Sequence, residues 1–234
     1  VWVVDAADPA SERRVFDWSA ARWPSWSPAG DEILFSRDTG GRPESERCFW
    51  GFCFTIPGKA FWHPGFVSPA DGSFHEPPAP KLVLAPDWSP DGEQFVYTGE
   101  HGLTIQTLDG EVSWQITDDP RDTGPVWSPD GSKVAFTRRQ HDHFEVYVVN
   151  ADGSNLRRLT DTPERPAGEP GNSAAPAWSP DGKHLAFMTD HGGAWQMWVM
   201  AASGGGAKPL FDTALDGLTL EYSSVGERAI SWTE

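Results

Sequence analysis

Histidine occurs together with carboxylate or amide side chains in three short segments of this chain. The segments are Glu100-His101-Gly102, Gln140-His141-Asp142-His143 and Asp190-His191-Gly192. Imidazole and carboxylate groups can bind a transition metal, and near neutral pH they can also act as general acid and base. If the fold brings the segments together, the candidate site residues are His101, Arg139, Gln140, His141, Asp142, His143, Asp190 and His191. Solvated loop side chains explain the same residues more simply, so we assign no catalytic residue and no bound metal.

The two cysteines of the chain, Cys48 and Cys53, are separated by four residues in Cys-Phe-Trp-Gly-Phe-Cys. This spacing allows a small disulfide-closed loop that presents Phe49, Trp50 and Phe52. A zinc site is poorly supported, because structural zinc usually takes four ligands. A disulfide would fit an extracytoplasmic location, in which the protein is periplasmic, secreted or at the cell surface. The aromatic side chains could instead pack down onto the domain as a hydrophobic plug.

The charge balance of the chain limits the kinds of partner it can bind. Asp and Glu number 34 against 18 Lys and Arg, which gives a formal net charge of −16. Binding to a phosphate backbone requires a basic patch, and none is visible, so nucleic acid is not expected. An anionic membrane surface is disfavoured for the same reason. No window approaches the roughly 18 apolar residues of a membrane-spanning helix, so no membrane insertion is expected.

Acidic residues gather in three segments of the chain. They are Asp118, Asp119 and Asp122; Asp161, Glu164 and Glu169; and Asp212 and Asp216. Oxygen ligands suit calcium, but none of the segments has the spacing of a dedicated calcium-binding loop. A solvated acidic rim that attracts a basic partner is the preferred interpretation. We therefore predict no cofactor, with calcium or a transition metal as the alternatives.

A repeated pentapeptide organises the chain. Trp-Ser-Pro-Asp-Gly begins at Trp88, Trp127 and Trp178, and weaker copies begin at Trp26 and Tyr222. Proline, aspartate and glycine in this order favour a tight turn between two strands, and a short apolar run follows each copy. Each unit therefore predicts strand, turn, strand. Because the motif recurs while a catalytic site occurs once, its residues are interpreted as structural.

A second recurrent segment supplies two more strands per unit. Val146 to Gly153 is a β run that ends in the turn Asn-Ala-Asp-Gly, and Val1 to Asp8 is similar to it. A complete unit is thus four strands, A to D, with A and B around the tryptophan turn. The chain opens with strands C and D and ends with A and B. This predicts one all-β domain over 1–234, a five-bladed β-propeller of four-stranded antiparallel blades, whose last blade is closed by pairing of the N-terminal and C-terminal strands.

The repeat resembles the TolB-type, WD-like β-propeller repeat family of bacterial proteins. The most similar stretch runs from Pro125 to Thr160, and the resemblance covers the chain apart from an insertion at about 38–58. Some oligogalacturonate lyases, which have related propellers, are similar in using histidine and glutamine to hold manganese. That similarity makes Gln140, His141 and His143 the candidate metal ligands. The resemblance does not by itself choose a function, because propellers host many.

No hydrolase motif is present in the sequence. It has no Gly-x-Ser-x-Gly, no phosphate-binding glycine loop and no His-Glu-x-x-His. Two carboxylates at the axis of a propeller could in principle hydrolyse a glycosidic bond, and Asp87 is the acid that stands out in a predicted inner strand. Asp87 could equally be a pore-lining residue.

The B–C loops and D–A connections vary in length, whereas the A–B and C–D turns are all short. Loops on a rigid scaffold carry function more often than the scaffold does, so the site is predicted on the face that holds the variable loops. Its candidate aromatic residues are Phe49, Trp50, Phe52, Trp62, Trp18 and Trp23.

The preferred function is a noncatalytic binding module that uses the variable-loop face to engage a protein partner or a glycan.

 We expect the domain to be monomeric. Because the chain begins at Val1 within a predicted strand, we expect it to be a processed or excised product, which could be one domain of a larger protein. The alternative function is a metal-assisted carbohydrate-active enzyme, either a polysaccharide lyase or a glycosidase, with a histidine and carboxylate site on the same face.

Overall fold

The structure is a computed structural model that describes residues 1–5, 7–17, 20–41, 45–49, 52–56, 61–163, 168, 170–211 and 230. Every regular element within these ranges is a β-strand. None of the described residues forms a helix with the length and apolar character needed to cross a membrane.

Two strands precede the first complete sheet and pair with each other. They are β1 (Trp2–Asp5) and β2 (Asp8–Arg14). The first four-stranded sheet contains β3 (Ala21–Trp26), β4 (Ile33–Asp38), β7 (Trp62–Val67) and β8 (Phe74–His75). A separate hairpin, β5 (Ser45–Phe49) and β6 (Phe52–Ile56), is inserted between β4 and β7. This hairpin accounts for the insertion predicted at about 38–58.

Three further sheets follow with the same antiparallel strand order. The second contains β9 (Leu84–Trp88), β10 (Gln94–Thr98), β11 (Leu103–Thr107) and β12 (Ser113–Gln115). The third contains β13 (Asp122–Trp127), β14 (Lys133–Arg139), β15 (Phe144–Asn150) and β16 (Arg157–Arg158). The fourth contains β17 (Ser173–Trp178), β18 (His184–Thr189), β19 (Gln196–Ala201) and β20 (Lys208–Pro209). Strands A to D of the predicted repeat are therefore confirmed in four successive sheets.

The repeated pentapeptide forms the A–B turn of each sheet, as its chemistry predicts. In the third sheet Ser128 Oγ donates to Asp130 Oδ1 over 2.6 Å and accepts a hydrogen bond from the Lys133 amide over 2.9 Å. Asp130 Oδ1 also accepts from the Ser132 amide over 3.0 Å. Gly131 has a φ of 70°, the left-handed conformation that glycine adopts without strain. The motif is thus a closed hydrogen-bonded turn.

Each A strand carries an irregularity just before its proline. The residue in that position has a positive φ in all four sheets: Trp23 (56°), Ala85 (48°), Gly124 (59°) and Ala175 (53°). The pairing of strands A and B shifts register at the same place in each sheet. Such a bulge increases the local twist of a strand. The proline that recurs two residues before each tryptophan therefore marks a bulge that the sequence did not reveal.

The core lies between neighbouring sheets. Trp88, Trp127 and Trp178 are only 6–8% exposed, and the indole of Trp178 donates to the Val126 carbonyl of the preceding sheet over 3.2 Å. Trp26 occupies the same repeat position but is 50% exposed. It lies in the first complete sheet, so no four-stranded sheet precedes it among the described residues. The last predicted unit, around Tyr222, lies outside the described residues.

Candidate binding face

The B–C loops and D–A connections lie at one end of the sheets, which we call the loop face, and the A–B and C–D turns lie at the other end, the turn face. The described B–C segments include 99–102, 140–143 and 190–195, and the D–A connections include 76–83 and 116–121. The candidate residues predicted from the sequence fall on or near the loop face where the structure describes them.

A cluster of aromatic and cationic side chains, the aromatic patch, lies at the loop-face end of the first sheet. The rings of Trp23 and Trp62 are 5.1 Å apart, and the Arg22 guanidinium lies 5.8 Å from the Trp62 ring. Lys81 Nζ lies 5.2 Å from the ring of Phe61. Both tryptophans are partly exposed and Arg22 is exposed. The left-handed backbone at Trp23 turns this strand just where its ring meets Trp62.

The inserted hairpin places the two cysteines directly opposite each other. In the antiparallel register Cys48 pairs with Cys53 and Phe49 pairs with Phe52. Adjacent cysteines on paired strands suit a disulfide bridge. The side chains of these four residues lie outside the described part of the chain, as does Trp50. The disulfide and the exposed position of the aromatic residues therefore stay predictions, and so does the role of Trp18, which also lies outside it.

The residues of the third B–C loop are engaged in separate contacts. Gln140 Nε2 donates to the Tyr147 hydroxyl over 2.7 Å. His143 Nδ1 lies 2.8 Å from Asp142 Oδ1, and its Nε2 lies 3.4 Å from Glu145 Oε1. His141, Asp142 and Arg139 are exposed. Within the described ranges no three His, Cys, Asp or Glu side chains converge in a way that could hold a metal ion.

Glu145 is a fully buried carboxylate beneath this loop. It accepts hydrogen bonds from Arg158 Nη2 over 2.7 Å and from the Thr162 amide over 2.8 Å, and it also accepts from the Thr160 hydroxyl. The network joins strand β15 to strand β16 and to the following D–A connection. The sequence does not single out Glu145, because an isolated acid in a predicted strand resembles a solvent-facing residue.

The two candidate residues of the fourth B–C loop, Asp190 and His191, have different surroundings. Asp190 is buried and accepts hydrogen bonds from the amide and side chain of Asn172 over 2.7 and 2.9 Å. It therefore ties the loop to the D–A connection, and we correct its assignment as a ligand-facing residue. His191 is partly exposed and meets the Trp198 ring edge-on at 4.6 Å. Its Nδ1 is buried and has no hydrogen-bond partner among the described residues.

The acidic D–A connection before the third sheet is only partly a solvated rim. Asp122 is fully buried and pairs with Arg138, whose Nη2 lies 2.8 Å from Asp122 Oδ2. Burial raises the pKa of Asp122 despite this partner. The hydrogen-bonded guanidinium of Arg121 lowers the pKa of Asp119 to about 2. The expectation of a solvated rim is therefore wrong for Asp122.

Asp87 connects three sheets near the innermost strands. Its carboxylate accepts a hydrogen bond from Ser25 Oγ over 2.8 Å and another from the Trp127 amide over 2.8 Å. The three residues come from the first, second and third sheets. Asp87 is buried. Its geometry is that of an inter-sheet clasp rather than of a solvent-facing catalytic acid.

Two cavities open beside the loop face. One, of about 240 Å³, adjoins His101, which is exposed and whose carbonyl accepts a hydrogen bond from Gln115 Nε2 over 3.1 Å. The other, of about 130 Å³, adjoins His191 and Trp198. His101 and His191 therefore line two different cavities, the first beside the second sheet and the second between the third and fourth sheets.

Comparison with known proteins identifies the family. Residues 74–230 match the family profile described as the TolB beta propeller domain. The chain belongs to this family. The TolB β-propeller match spans the second, third and fourth sheets, in which the three intact pentapeptides occur.

Parts of the chain are similar in sequence to a TolB protein and to a peptidase. The Tol-Pal system protein TolB of Bordetella pertussis is 31% identical over 131 residues, which are 53% of this chain and 28% of that protein. Dipeptidyl-peptidase 5 of Porphyromonas gingivalis is 43% identical over 53 residues, which are 23% of this chain and 7% of that protein. The matched stretches therefore cover less than a third of either relative's length.

Solved structures confirm the similarity of fold. A TolB structure from Agrobacterium tumefaciens superposes with a TM-score of 0.66 at 21% identity, over 86% of this chain and 66% of that one. An oligogalacturonate lyase in complex with manganese superposes with a TM-score of 0.59 at 16% identity, over 87% of this chain and 57% of that one. At these identities the likeness concerns the fold alone.

Proposed function

We propose that this TolB-type propeller is a noncatalytic binding module whose loop face engages a protein partner. The aromatic patch carries the proposal. Tryptophan and arginine are the residues most enriched among those that dominate binding energy at protein interfaces. Here Trp62 contacts both Trp23 and Arg22 on the loop face, where the two tryptophans are partly exposed and Arg22 is exposed.

The relatives support a protein partner and an extracytoplasmic location. The Bordetella pertussis relative is named as a component of the Tol-Pal system. The opposed register of Cys48 and Cys53 suits a disulfide, which persists in oxidising compartments. Peptide mapping without reductant tests this, and alkylation of both thiols in protein from its native compartment would contradict it. We propose that the domain acts as a monomer without a cofactor, and a glycan is the second kind of ligand its aromatic surface could take.

We also propose that five blades close into a ring through the terminal strands. Trp26 is half-exposed at the side of the first sheet where its counterparts pack against a neighbouring sheet. At the other end, Ile230 is buried with Ala175, Ala186 and Met188 of the fourth sheet. Ile230 lies in the apolar run expected to form strand B of a fifth blade. Pairing of that blade with β1 and β2 would supply the missing neighbour of Trp26.

A capture experiment tests the binding function. Immobilised wild-type domain, Trp62→Ala and the control V112A/L156A are exposed to extract of the organism that makes the protein, and bound proteins are quantified by mass spectrometry. The control removes two exposed apolar side chains from the turn face. We expect a protein that wild type and control retain equally and that Trp62→Ala retains at least about tenfold less, since truncation of a central interface tryptophan costs more than about 1.4 kcal/mol.

The outcome is decided by the difference between the two variants. Equal retention by all three proteins would contradict the loop face as the binding surface. Circular dichroism melting shows whether Trp62→Ala remains folded. The alternative, a metal-assisted carbohydrate-active enzyme, predicts bound metal by elemental analysis and turnover of acidic polysaccharides.

A further inference from the structure

One position near the loop-face end of strand B carries a different type of side chain from sheet to sheet. The eleventh residue after Trp26, Trp88, Trp127 and Trp178 is, in order, Arg37, Gly99, Arg138 and Thr189. Each lies within or directly after the loop-face end of strand B. Two sheets thus carry a long cationic side chain at this position, and two carry a small residue.

In the third sheet the cation fills a space above two aromatic rings. The Arg138 guanidinium lies 5.7 Å from the ring of Phe136 and 4.8 Å from the ring of Tyr147, which are cross-strand partners. Asp122, the cross-strand partner of Arg138 on the other side, holds it with two hydrogen bonds. The third sheet therefore contains a complete guanidinium site occupied by the chain's own arginine.

The first sheet uses its arginine in a similar way. The Arg37 guanidinium lies 5.5 Å from the ring of Phe74 and forms an ion pair with Glu76. The combination of an aromatic ring and a carboxylate around a guanidinium is thus repeated in the fold.

In the fourth sheet the same space is a cavity of about 130 Å³. Phe187 and Trp198 are cross-strand partners there, as Phe136 and Tyr147 are in the third sheet. Thr189 stands where the third sheet has Arg138, and its cross-strand partner is Ser173 instead of an aspartate. The rings remain while the ion pair above them is replaced by two hydroxyl side chains. An engineered cavity of about 150 Å³ accommodates a benzene ring, so this one can hold a small planar group.

The polar groups around this cavity are mainly acceptors. His191 Nδ1 is buried and has no hydrogen-bond partner within the described ranges. In the neutral tautomer that carries its proton on Nε2, this atom accepts a hydrogen bond. The hydroxyls of Thr162 and Ser173, 2.7 Å apart, and the exposed carboxylate of Asp161 also line the cavity.

We propose that the fourth-sheet cavity binds the guanidinium group of an arginine side chain presented by the protein partner. A guanidinium is planar, carries five N–H donors and no acceptor, and stacks on aromatic rings. Tryptophan gives the strongest cation–π attraction, and Trp198 stands where the third sheet has a tyrosine. The net charge of −16 favours approach of a basic partner. The inference rests on the proposed function, because it takes the arginine from a bound protein.

The second-sheet cavity offers an internal contrast. Gly99 leaves space there, but the cross-strand partner of Tyr97 is Thr104, so a second ring is lacking. Lys81 also lines this cavity and would repel a cation. We therefore expect arginine to bind at the fourth sheet and not at the second.

Titration of the ¹⁵N-labelled domain with the peptide acetyl-Gly-Arg-Gly-amide tests the proposal without any partner. We expect saturable shifts at the amides of Thr189 and His191 and at the Trp198 indole. The lysine and citrulline peptides should bind about tenfold more weakly, because they lack the planar fork or the charge. Equal affinity for the citrulline peptide, or no saturable shift, would overturn the proposal. Tighter binding of free arginine than of the peptide would overturn a protein as the source.

Two variants localise the binding. S173D/T189R copies the third sheet and fills the cavity with the protein's own guanidinium, so we expect it to melt as wild type does and to show no peptide shifts. His191→Phe keeps a ring and removes the acceptor, so we expect about fivefold weaker binding. Unchanged affinity in a folded S173D/T189R overturns the proposal. If that variant does not fold, unchanged affinity of His191→Phe for the arginine peptide overturns the proposal instead.

The capture experiment separates this inference from the proposed function. A captured protein that neither Trp62→Ala nor S173D/T189R retains supports both the binding module and the arginine site. One that is lost with Trp62→Ala but retained by S173D/T189R supports the binding module and rejects the arginine site. A peptide that binds at the fourth sheet while no protein responds to Trp62→Ala rejects the proposed patch alone.

Discussion

Single polar side chains in this propeller connect backbone segments that are distant in sequence. Asp190 ties the fourth B–C loop to Asn172, and Glu145 ties strand β15 to the connection that follows β16. From the sequence, Asp190 was predicted to face a ligand, and Glu145 resembles a solvent-facing residue. A buried carboxylate is costly unless it is paired or hydrogen-bonded, and the structure supplies several donors to each. The residues left for binding are those that the scaffold does not already use.

The turn aspartates give the scaffold a predictable response to acid. Hydrogen bonds from the Ser128 hydroxyl and the Ser132 amide lower the pKa of Asp130 from 3.8 to about 2. A lowered folded-state pKa means that the stabilisation is present above about pH 4 and is lost as pH falls through about 2. We therefore expect Asp130→Asn to flatten the fall in the free energy of unfolding between these pH values. Urea unfolding at a series of pH values measures it.

Ser128→Ala serves as the companion variant for this prediction. It keeps the carboxylate but removes the first hydrogen-bond donor. It should therefore also flatten the profile, because the folded-state pKa moves back toward its ordinary value. The same acid slope in wild type and both variants would contradict the role given to the turn.

At the scale of one sheet, the ion pair between Asp122 and Arg138 connects strands A and B. It also fills the space that is open in the fourth sheet. Removing one member of a buried pair leaves an uncompensated charge, whereas exchanging both members removes that penalty. The serine and threonine of the fourth sheet therefore show which pair of residues could replace the aspartate and arginine of the third sheet.

A double-mutant cycle in the third sheet tests this equivalence. We expect Arg138→Thr alone to lower the free energy of unfolding by about 3 kcal/mol, since it leaves Asp122 buried without its partner. D122S/R138T, which copies the fourth sheet, should be less destabilised than Arg138→Thr. Chemical denaturation of the four proteins of the cycle measures the coupling. Additive effects of the two substitutions would contradict a shared site.

At the scale of the molecule, the pentapeptide predicted the four sheets because the chemistry of a tight turn is local. Tryptophan, proline and aspartate at fixed spacing define where strand A ends and strand B begins, and the apolar run that follows defines the buried strand. The candidate site was harder to predict. Its deciding contacts, such as Trp23 with Trp62 or Thr189 with Ser173, join strands whose register is set by bulges and by neighbouring sheets. Neither appears in the periodicity of the sequence.

The C-terminal segment provides the last test, because a closed ring needs it to pack against the fourth sheet. Ile230 is 7% exposed in a cluster with Ala175, Ala177, Ala186 and Met188. We expect Ile230→Ala to lower the free energy of unfolding by about 2–4 kcal/mol and Ile230→Val by about 1 kcal/mol, through lost burial and the cavity left behind. Phe211→Ala, at a side chain that is 56% exposed, is the control and should change stability by less than about 0.5 kcal/mol. Urea unfolding measures all three. If Ile230→Ala behaves like the control, the C-terminal segment is not an integral strand of the propeller, and the five-bladed ring is contradicted at its closure.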